Sequence, residues 1–217
     1  MLGELVPTAW DESFHTVCMK YVRMGTSSNF GNMLSMAVAS LAIPFLPLTP
    51  IQVLLNNLLY DISEIGIPFD AVDQDEMRRP HEWDIGAVLR FTLVMGPLSS
   101  AFDLITFAVL ILWFKAGPEV FRTAWFVESM ATQILVIFLI RTAAPAWASR
   151  PHPILTATSL GALAVALVLA LSPSGLVLGF STLPSSIAVL IAGLVLAYLL
   201  CAEMLKPLAL KTLPRSV

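Results

Sequence analysis

The sequence is poor in charged residues and in cysteine, and these shortages exclude several classes of protein. Only 12% of the 217 residues are charged, against roughly 25% in ordinary soluble domains. Twelve Lys and Arg against 15 Asp and Glu give a net charge of −3, which excludes a basic nucleic-acid-binding protein. Cys18 and Cys201 lie near opposite ends of the chain, so they indicate neither a disulfide framework nor a metal site.

Motifs for hydrolysis are also missing from the sequence. There is no glycine-rich phosphate-binding loop, no nucleophile elbow and no His-Glu-x-x-His motif. Residues 1–13 lack the apolar core of a secretory signal peptide. The chain therefore offers no catalytic residues and no ATP site of its own.

Apolar residues are abundant instead: they form 57% of the chain, and its mean hydropathy is +0.82. A spanning helix needs about 20 mostly apolar residues, and only helices or closed barrels cross a bilayer. The strict alternation of a β-barrel is absent, so we predict an all-α integral membrane protein that contacts the lipid bilayer through a six-helix transmembrane bundle. The six spans are predicted at residues 30–48, 51–69, 88–114, 124–140, 154–171 and 185–205.

Lysine and arginine are distributed unequally between the predicted loops. With both termini in the cytoplasm, ten of the 12 basic residues lie on the cytoplasmic side. Only Lys115 and Arg122 lie on the other side. Because basic residues accumulate in cytoplasmic loops, this bias predicts a multi-pass protein with both termini cytoplasmic.

Polar residues within the first two spans suggest a binding site. Asn57, Asp61 and Glu64 fall within roughly 60° of one another on one helical face, and Asn29 and Asn32 share a face of the preceding helix. A carboxylate inside a bilayer is costly and therefore indicates a function. Carboxylate and amide oxygens are the ligands that Mg²⁺ and Ca²⁺ prefer, so the pattern predicts a site for a hard cation.

Several polar residues have an alternative interpretation. Amide side chains also hydrogen-bond between transmembrane helices, and we favour this role for Asn56. Glu128 either approaches the cation site or lies near the outer interface, and it does not share a helical face with Gln133. Asp103 has two interpretations, a packing role and a ligand role, and we slightly favour packing, with its carboxylate satisfied by hydroxyl groups of its own helix, from Ser99, Ser100 and Thr106.

Four segments carry a resemblance to a known family. Residues 26–33 read TSSNFGNM, residues 57–61 read NLLYD, residues 67–70 read IPFD and residues 96–103 read GPLSSAFD. With these segments the chain resembles the C-terminal membrane half of bacterial P-type magnesium-transporting ATPases. The resemblance covers residues 14–217, and residues 1–13 are an unmatched segment.

The resemblance implies a cation pump in which the last six of ten spans are present. The resemblance implies that Mg²⁺ is the transported ion. The matching motifs imply that its ligands are Asn29, Asn32, Asn57 and Asp61. Glu64 stands where the family has an uncharged residue, so it is not assigned as a ligand, although it shares their face. The acidic loop at residues 70–84 would couple the catalytic domains to the spans. The location implied is the bacterial inner membrane.

The sequence also departs from the family. The Asp-Lys-Thr-Gly phosphorylation motif, the nucleotide-binding domain and the first four spans are absent. We therefore expect a truncated membrane portion that cannot pump alone, and whether it acts as an enzyme stays open. The alternative is a noncatalytic membrane subunit that assembles with a separately encoded catalytic half. A channel or secondary transporter is a third, less favoured interpretation.

Overall fold

The computed structural model describes residues 9–70, 85–142 and 144–210. All the regular secondary structure in these residues is helical, which confirms the predicted all-α class. A π-helical turn, Val109–Trp113, follows the third helix. The α-helices of the described residues are α1 (Ala9–Ala42), α2 (Pro50–Glu64), α3 (Ile85–Ala108), α4 (Pro118–Ile140), α5 (Pro153–Leu171) and α6 (Ser185–Leu210).

Within the described residues, four helical segments are long and apolar enough to cross a membrane: Ile85–Trp113, Pro118–Ile140, Pro153–Leu171 and Ser185–Leu210. The chain is therefore a multi-pass membrane protein. The predicted count of six spans is not confirmed. Helix α2 has only 15 residues, fewer than the roughly 20 that a span needs, and the apolar residues of α1 are interrupted by polar ones.

Proline accounts for three of the boundaries that the sequence analysis misplaced, although not for the start of α1 at Ala9 or the end of α6 at Leu210. The first span was predicted to reach residue 48, but α1 ends at Ala42, two residues before Pro44. A proline has no N–H to donate, and it disfavours the helical conformation of the residue before it. The predicted second span divides into α2 and a short 3₁₀ turn, Ile67–Phe69. Helix α4 begins at Pro118 rather than at residue 124, because proline suits the first turn of a helix.

Helix α4 is the buried centre of the bundle. It packs against α5 and α6, while α1 lies along α3 and α2 lies along α5. Phe121, Phe126 and Ile134 of α4 are completely buried. Because lipid is as apolar as these side chains, close van der Waals packing rather than hydrophobic burial stabilises their contacts.

Asp70, which follows α2, contacts the end of α4 and the start of α5. Its carboxylate lies 2.9 Å from Nη1 of Arg141, at the end of α4, and accepts a 2.9 Å hydrogen bond from the backbone N–H of His152, before α5. Arg141 also donates to the carbonyl of Ser149. The segment that follows α2 is thereby fixed to α4 and α5. The rest of the predicted coupling loop, residues 71–84, lies outside the described residues.

The end of α2 approaches the backbone of α5 at Gly66. A Cβ atom at this position would lie 2.3 Å from Cα of Leu155 and 2.8 Å from its backbone nitrogen. It would also lie 2.6 Å from Oγ1 of Thr158. The backbone φ of Gly66 is −75°, which any residue adopts, so glycine is needed here for space alone.

Substituting Gly66→Ala should therefore destabilise the protein. Two of the three atoms that the new methyl group would meet belong to the backbone and cannot turn away, so we expect an overpacking cost of about 1–3 kcal/mol. Gly161→Ala in α5 is the matched control, because its Cβ would meet no atom within 4 Å and alanine favours helix. Thermal unfolding in detergent micelles measures both variants. An unchanged midpoint for Gly66→Ala would show that the two helices are not held this closely.

Candidate cation-binding site

A cavity of about 320 Å³ lies between α1, α2 and α4. Four asparagines dominate its polar lining: two come from α1 and two from α2. Helix α4 closes the cavity with Trp125 and Ser129. The asparagines are Asn29, Asn32, Asn56 and Asn57. Three of the four residues predicted to bind a cation therefore face one space.

A hydrogen-bond network holds the inner asparagines. The hydroxyl of Ser129 lies 3.3 Å from Oδ1 of Asn32 and 3.4 Å from Nδ2 of Asn56. Gln133 donates to Ser129 and lies 3.5 Å from Oδ1 of Asn56. Its own Oε1 accepts a 3.1 Å hydrogen bond from Ser28 of α1. Asn56 thus bonds between helices, as predicted, and it also lines the cavity.

The fourth predicted ligand, Asp61, does not line this cavity. Its side chain is exposed in the described structure, as are those of Asn29 and Asn57. Asp61 lies one helical turn beyond Asn57, so the two residues share a face of α2. The structure therefore brings together Asn29, Asn32 and Asn57, and leaves Asp61 on the open face beside them.

The buried acid of α2 is Glu64. Its side chain is only 2% exposed, and it hydrogen-bonds the hydroxyl of Tyr60, which also bonds Ser28 of α1. Its Oε1 has no hydrogen-bond partner among the described residues. Glu64 points toward α1, because a Cβ on Gly25 would lie 3.8 Å from its Oε2.

Asp103 and Glu128 form a second buried polar cluster. The prediction that hydroxyls of its own helix satisfy Asp103 is wrong, because the carboxylate instead accepts hydrogen bonds from Ser35 of α1 and Trp125 of α4. Glu128 is buried beside Asp103 rather than at the outer interface. Of the three hydroxyls that were expected to serve Asp103, that of Ser100 donates to the carbonyl of Gly31.

The sequence analysis missed Ser129 and Gln133 as parts of the site. Their spacing was the available signal, since residues four apart on a helix lie on one face. Glu128, with which the sequence analysis compared Gln133, is five residues away and lies on another face of the helix. Trp125, which lies one turn before Ser129, completes the same stripe on α4.

The chemistry of the cavity suits a hydrated hard cation. No group of three or more His, Cys, Asp or Glu residues that could hold a metal occurs in the part of the chain that the structure describes. The donors are amide and hydroxyl oxygens, and Mg²⁺ keeps several of its waters when it binds such oxygens. One water needs roughly 10–15 Å³ of cavity volume on the same measure, so an ion with several of its waters fits within the 320 Å³ cavity.

Comparison with known proteins identifies the family. Residues 45–208 match the family described as cation transporting ATPase, C-terminus. The chain belongs to the cation-transporting ATPases. As a member of this family it is 38% identical, over 206 residues, to magnesium-transporting ATPase, P-type 1, of Salmonella typhimurium strain LT2. It is 36% identical, over 196 residues, to the protein of that name from Escherichia coli K12.

The matches confirm the resemblance to the C-terminal part of P-type magnesium-transporting ATPases. They cover 92% and 87% of this chain, and 22% of each relative. The chain therefore spans about a fifth of the length of these curated relatives.

Proposed function

We propose that this chain is the ion-translocating membrane portion of a magnesium-transporting P-type ATPase. The observation that carries the proposal is the asparagine-lined cavity between α1, α2 and α4. It occurs in a chain whose relatives are named as magnesium transporters. In this proposal Mg²⁺ is the transported ion, and the chain contributes no ATP site.

The ligands that we propose are Asn29, Asn32, Asn57 and Asp61. The asparagines supply neutral oxygens inside the cavity, where the bound ion keeps part of its hydration shell. Asp61 supplies negative charge one turn from Asn57, on the open face of α2. In a pump, two states expose such a site to opposite sides of the membrane, and phosphorylation shifts the equilibrium between them.

In this proposal α1 crosses the membrane, as does α2 continued by the 3₁₀ turn Ile67–Phe69, together with the four apolar helices, which gives six spans. The polar residues that face the cavity lower the hydropathy of these two helices, and polar residues inside membranes mark ion pathways. Lys115 and Arg122 lie together around the α3–α4 turn, while Arg141 and Arg150 lie at the α4–α5 connection. This separation supports both termini in the cytoplasm of a bacterium, with the bundle in its inner membrane.

The open face of α1 and α2 supports a partner for the chain. Asn29, Asn57 and Asp61 are exposed there, and a carboxylate exposed to lipid costs about 2.5–3.5 kcal/mol. Further spans of a pump would cover this face and complete the site. ATP binding and phosphorylation would come from the same catalytic half. The alternative proposal, a noncatalytic subunit, differs only in having that half encoded separately.

A growth test in a bacterial strain that lacks magnesium uptake checks this proposal. The strain receives this chain, or a catalytic half comprising the first four spans and both ATP-handling domains of a related pump, or both. We expect growth at low magnesium only with both pieces, because neither contains the whole site. Growth with this chain alone would instead indicate a channel or secondary transporter. No growth with both pieces present in the membrane would reject the proposed function.

A further inference from the structure

Two carboxylic acids meet in the centre of the bundle, away from the asparagines. Asp103 comes from α3 and Glu128 from α4, and each is only 1% exposed. Their side chains hydrogen-bond each other. A hydrogen bond needs a hydrogen atom between its two oxygens, and a pair of ionised carboxylates has none.

Among the described residues, the surroundings of the pair supply hydrogen-bond donors but no positive charge. Trp125 donates its indole N–H to Oδ1 of Asp103 at 2.9 Å, and Ser35 bonds Oδ2. The titratable neighbour is the hydroxyl of Tyr198 on α6. Neither acid forms an ion pair with lysine or arginine within the described ranges. Two buried negative charges without a counterion are unfavourable, so one acid must be neutral.

Counting hydrogens at Ser35 leads to the same conclusion. Its hydroxyl has one hydrogen but lies within hydrogen-bond distance of two acceptors, Oδ2 of Asp103 and the carbonyl of Gly31 at 3.0 Å. If the hydrogen points to Gly31, Asp103 must supply the hydrogen between itself and Ser35. If it points to Asp103, one of the two acids must still supply the hydrogen between their carboxyl groups. Either arrangement requires at least one proton on the pair.

One oxygen of Glu128 is left without a partner. Its Oε2 is buried and forms no hydrogen bond in the described part of the chain. A buried carboxylate oxygen without a partner is costly, whereas the same oxygen in a neutral acid is less so. This observation is independent of the contact between the two acids, and it also indicates a bound proton.

We infer that Asp103 and Glu128 form a proton-binding site that holds one proton between two carboxyl groups in the membrane interior. The site is separate from the asparagine cavity, because neither acid lines that space. Trp125 connects the two, since it lines the cavity and donates to Asp103. The inference does not depend on the proposed transport function.

Infrared spectroscopy of the purified chain in detergent at neutral pH tests this site. Exposed carboxylates are ionised at neutral pH. A carbonyl band that belongs to a neutral carboxylic acid, and that shifts in heavy water, therefore reports only buried protonated acids. We expect Glu128→Gln to reduce this band by the intensity of one acid per chain. The amide N–H of the glutamine then donates the hydrogen bond to Asp103, so the pair no longer needs a proton. The double substitution D103N/E128Q, which retains shape and hydrogen bonds without an ionisable group, should remove the same amount.

Glu64→Gln is the matched control, because Glu64 is the other buried acid of the described residues with an oxygen that lacks a partner. It should leave the band assigned to the pair unchanged. A double variant that folds but retains the full wild-type band would overturn the inference, because both acids would then be ionised in the wild type. Loss of the wild-type band on adding magnesium chloride would also overturn it, by showing that the pair takes a metal ion in place of a proton.

Discussion

Asp61→Asn should abolish magnesium uptake by a full-length pump that carries this membrane region. The substitution keeps the size of the side chain and removes the only formal charge among the four proposed ligands. Changing a residue that merely supports a ligand typically costs 10–100-fold in metal affinity, so removing the charged ligand should cost at least about 100-fold. Uptake measured in cells or in proteoliposomes should fall to the background.

Glu119→Gln is the matched control for Asp61→Asn. Glu119 is also an exposed acid, but it lies in the first turn of α4, away from the asparagine cavity. Its substitution removes the same charge and should leave uptake close to that of the parent pump. Normal uptake by an Asp61→Asn pump that is present in the membrane would eliminate Asp61 as a ligand.

Arg141→Ala should cause the largest loss of stability. Arg141 and Asp70 are 3% and 6% exposed, and their side chains meet at 2.9 Å. Removing one partner of a buried ion pair leaves the other charge uncompensated and costs about 3–5 kcal/mol. The same substitution removes the hydrogen bond to the carbonyl of Ser149, which fixes the connection between α4 and α5.

Unfolding titrations in micelles measure this effect against Arg150→Ala. Arg150 is an exposed arginine of the same connection, so its loss should change the unfolding free energy by no more than about 0.5 kcal/mol. If Arg141→Ala cost as little as Arg150→Ala, the tie between Asp70 and the ends of α4 and α5 would not contribute to stability.

The sequence was most informative where the helices are uniformly apolar. The span predicted at residues 154–171 differs by one residue from α5, Pro153–Leu171, because proline begins it and its apolar run is uninterrupted. Helices α1 and α2 were less well predicted, since their residues serve the cavity as well as the lipid. Their polar positions lower the hydropathy on which span prediction depends.

Helical periodicity identified half of the candidate site. It placed Asn29 and Asn32 on one face of α1, and both line the cavity together with Asn57 of α2. Periodicity alone could not decide which acid of α2 is buried. Asp61 and Glu64 share a face, but only packing against α1 shows that Glu64 is covered and Asp61 is open.

Contacts between distant helices could not be predicted from the sequence. The partners of Asp103 lie on α1 and α4, at Ser35 and Trp125, and no local spacing indicates them. The nearest hydroxyls in the sequence were therefore the natural choice, although they face other neighbours. Ser129 and Gln133 were recognisable as a pair on one face, but their position beside the asparagines depends on how α4 packs.

Equilibrium binding of Mg²⁺ to the purified full-length pump, without ATP, tests the central claim most directly. That claim assigns the transported ion to the asparagine cavity of α1 and α2, with Asp61 as its charged ligand. The account predicts saturable binding by the parent pump and affinity at least about 100-fold weaker in Asp61→Asn. Equal affinity and stoichiometry in the two proteins would contradict it.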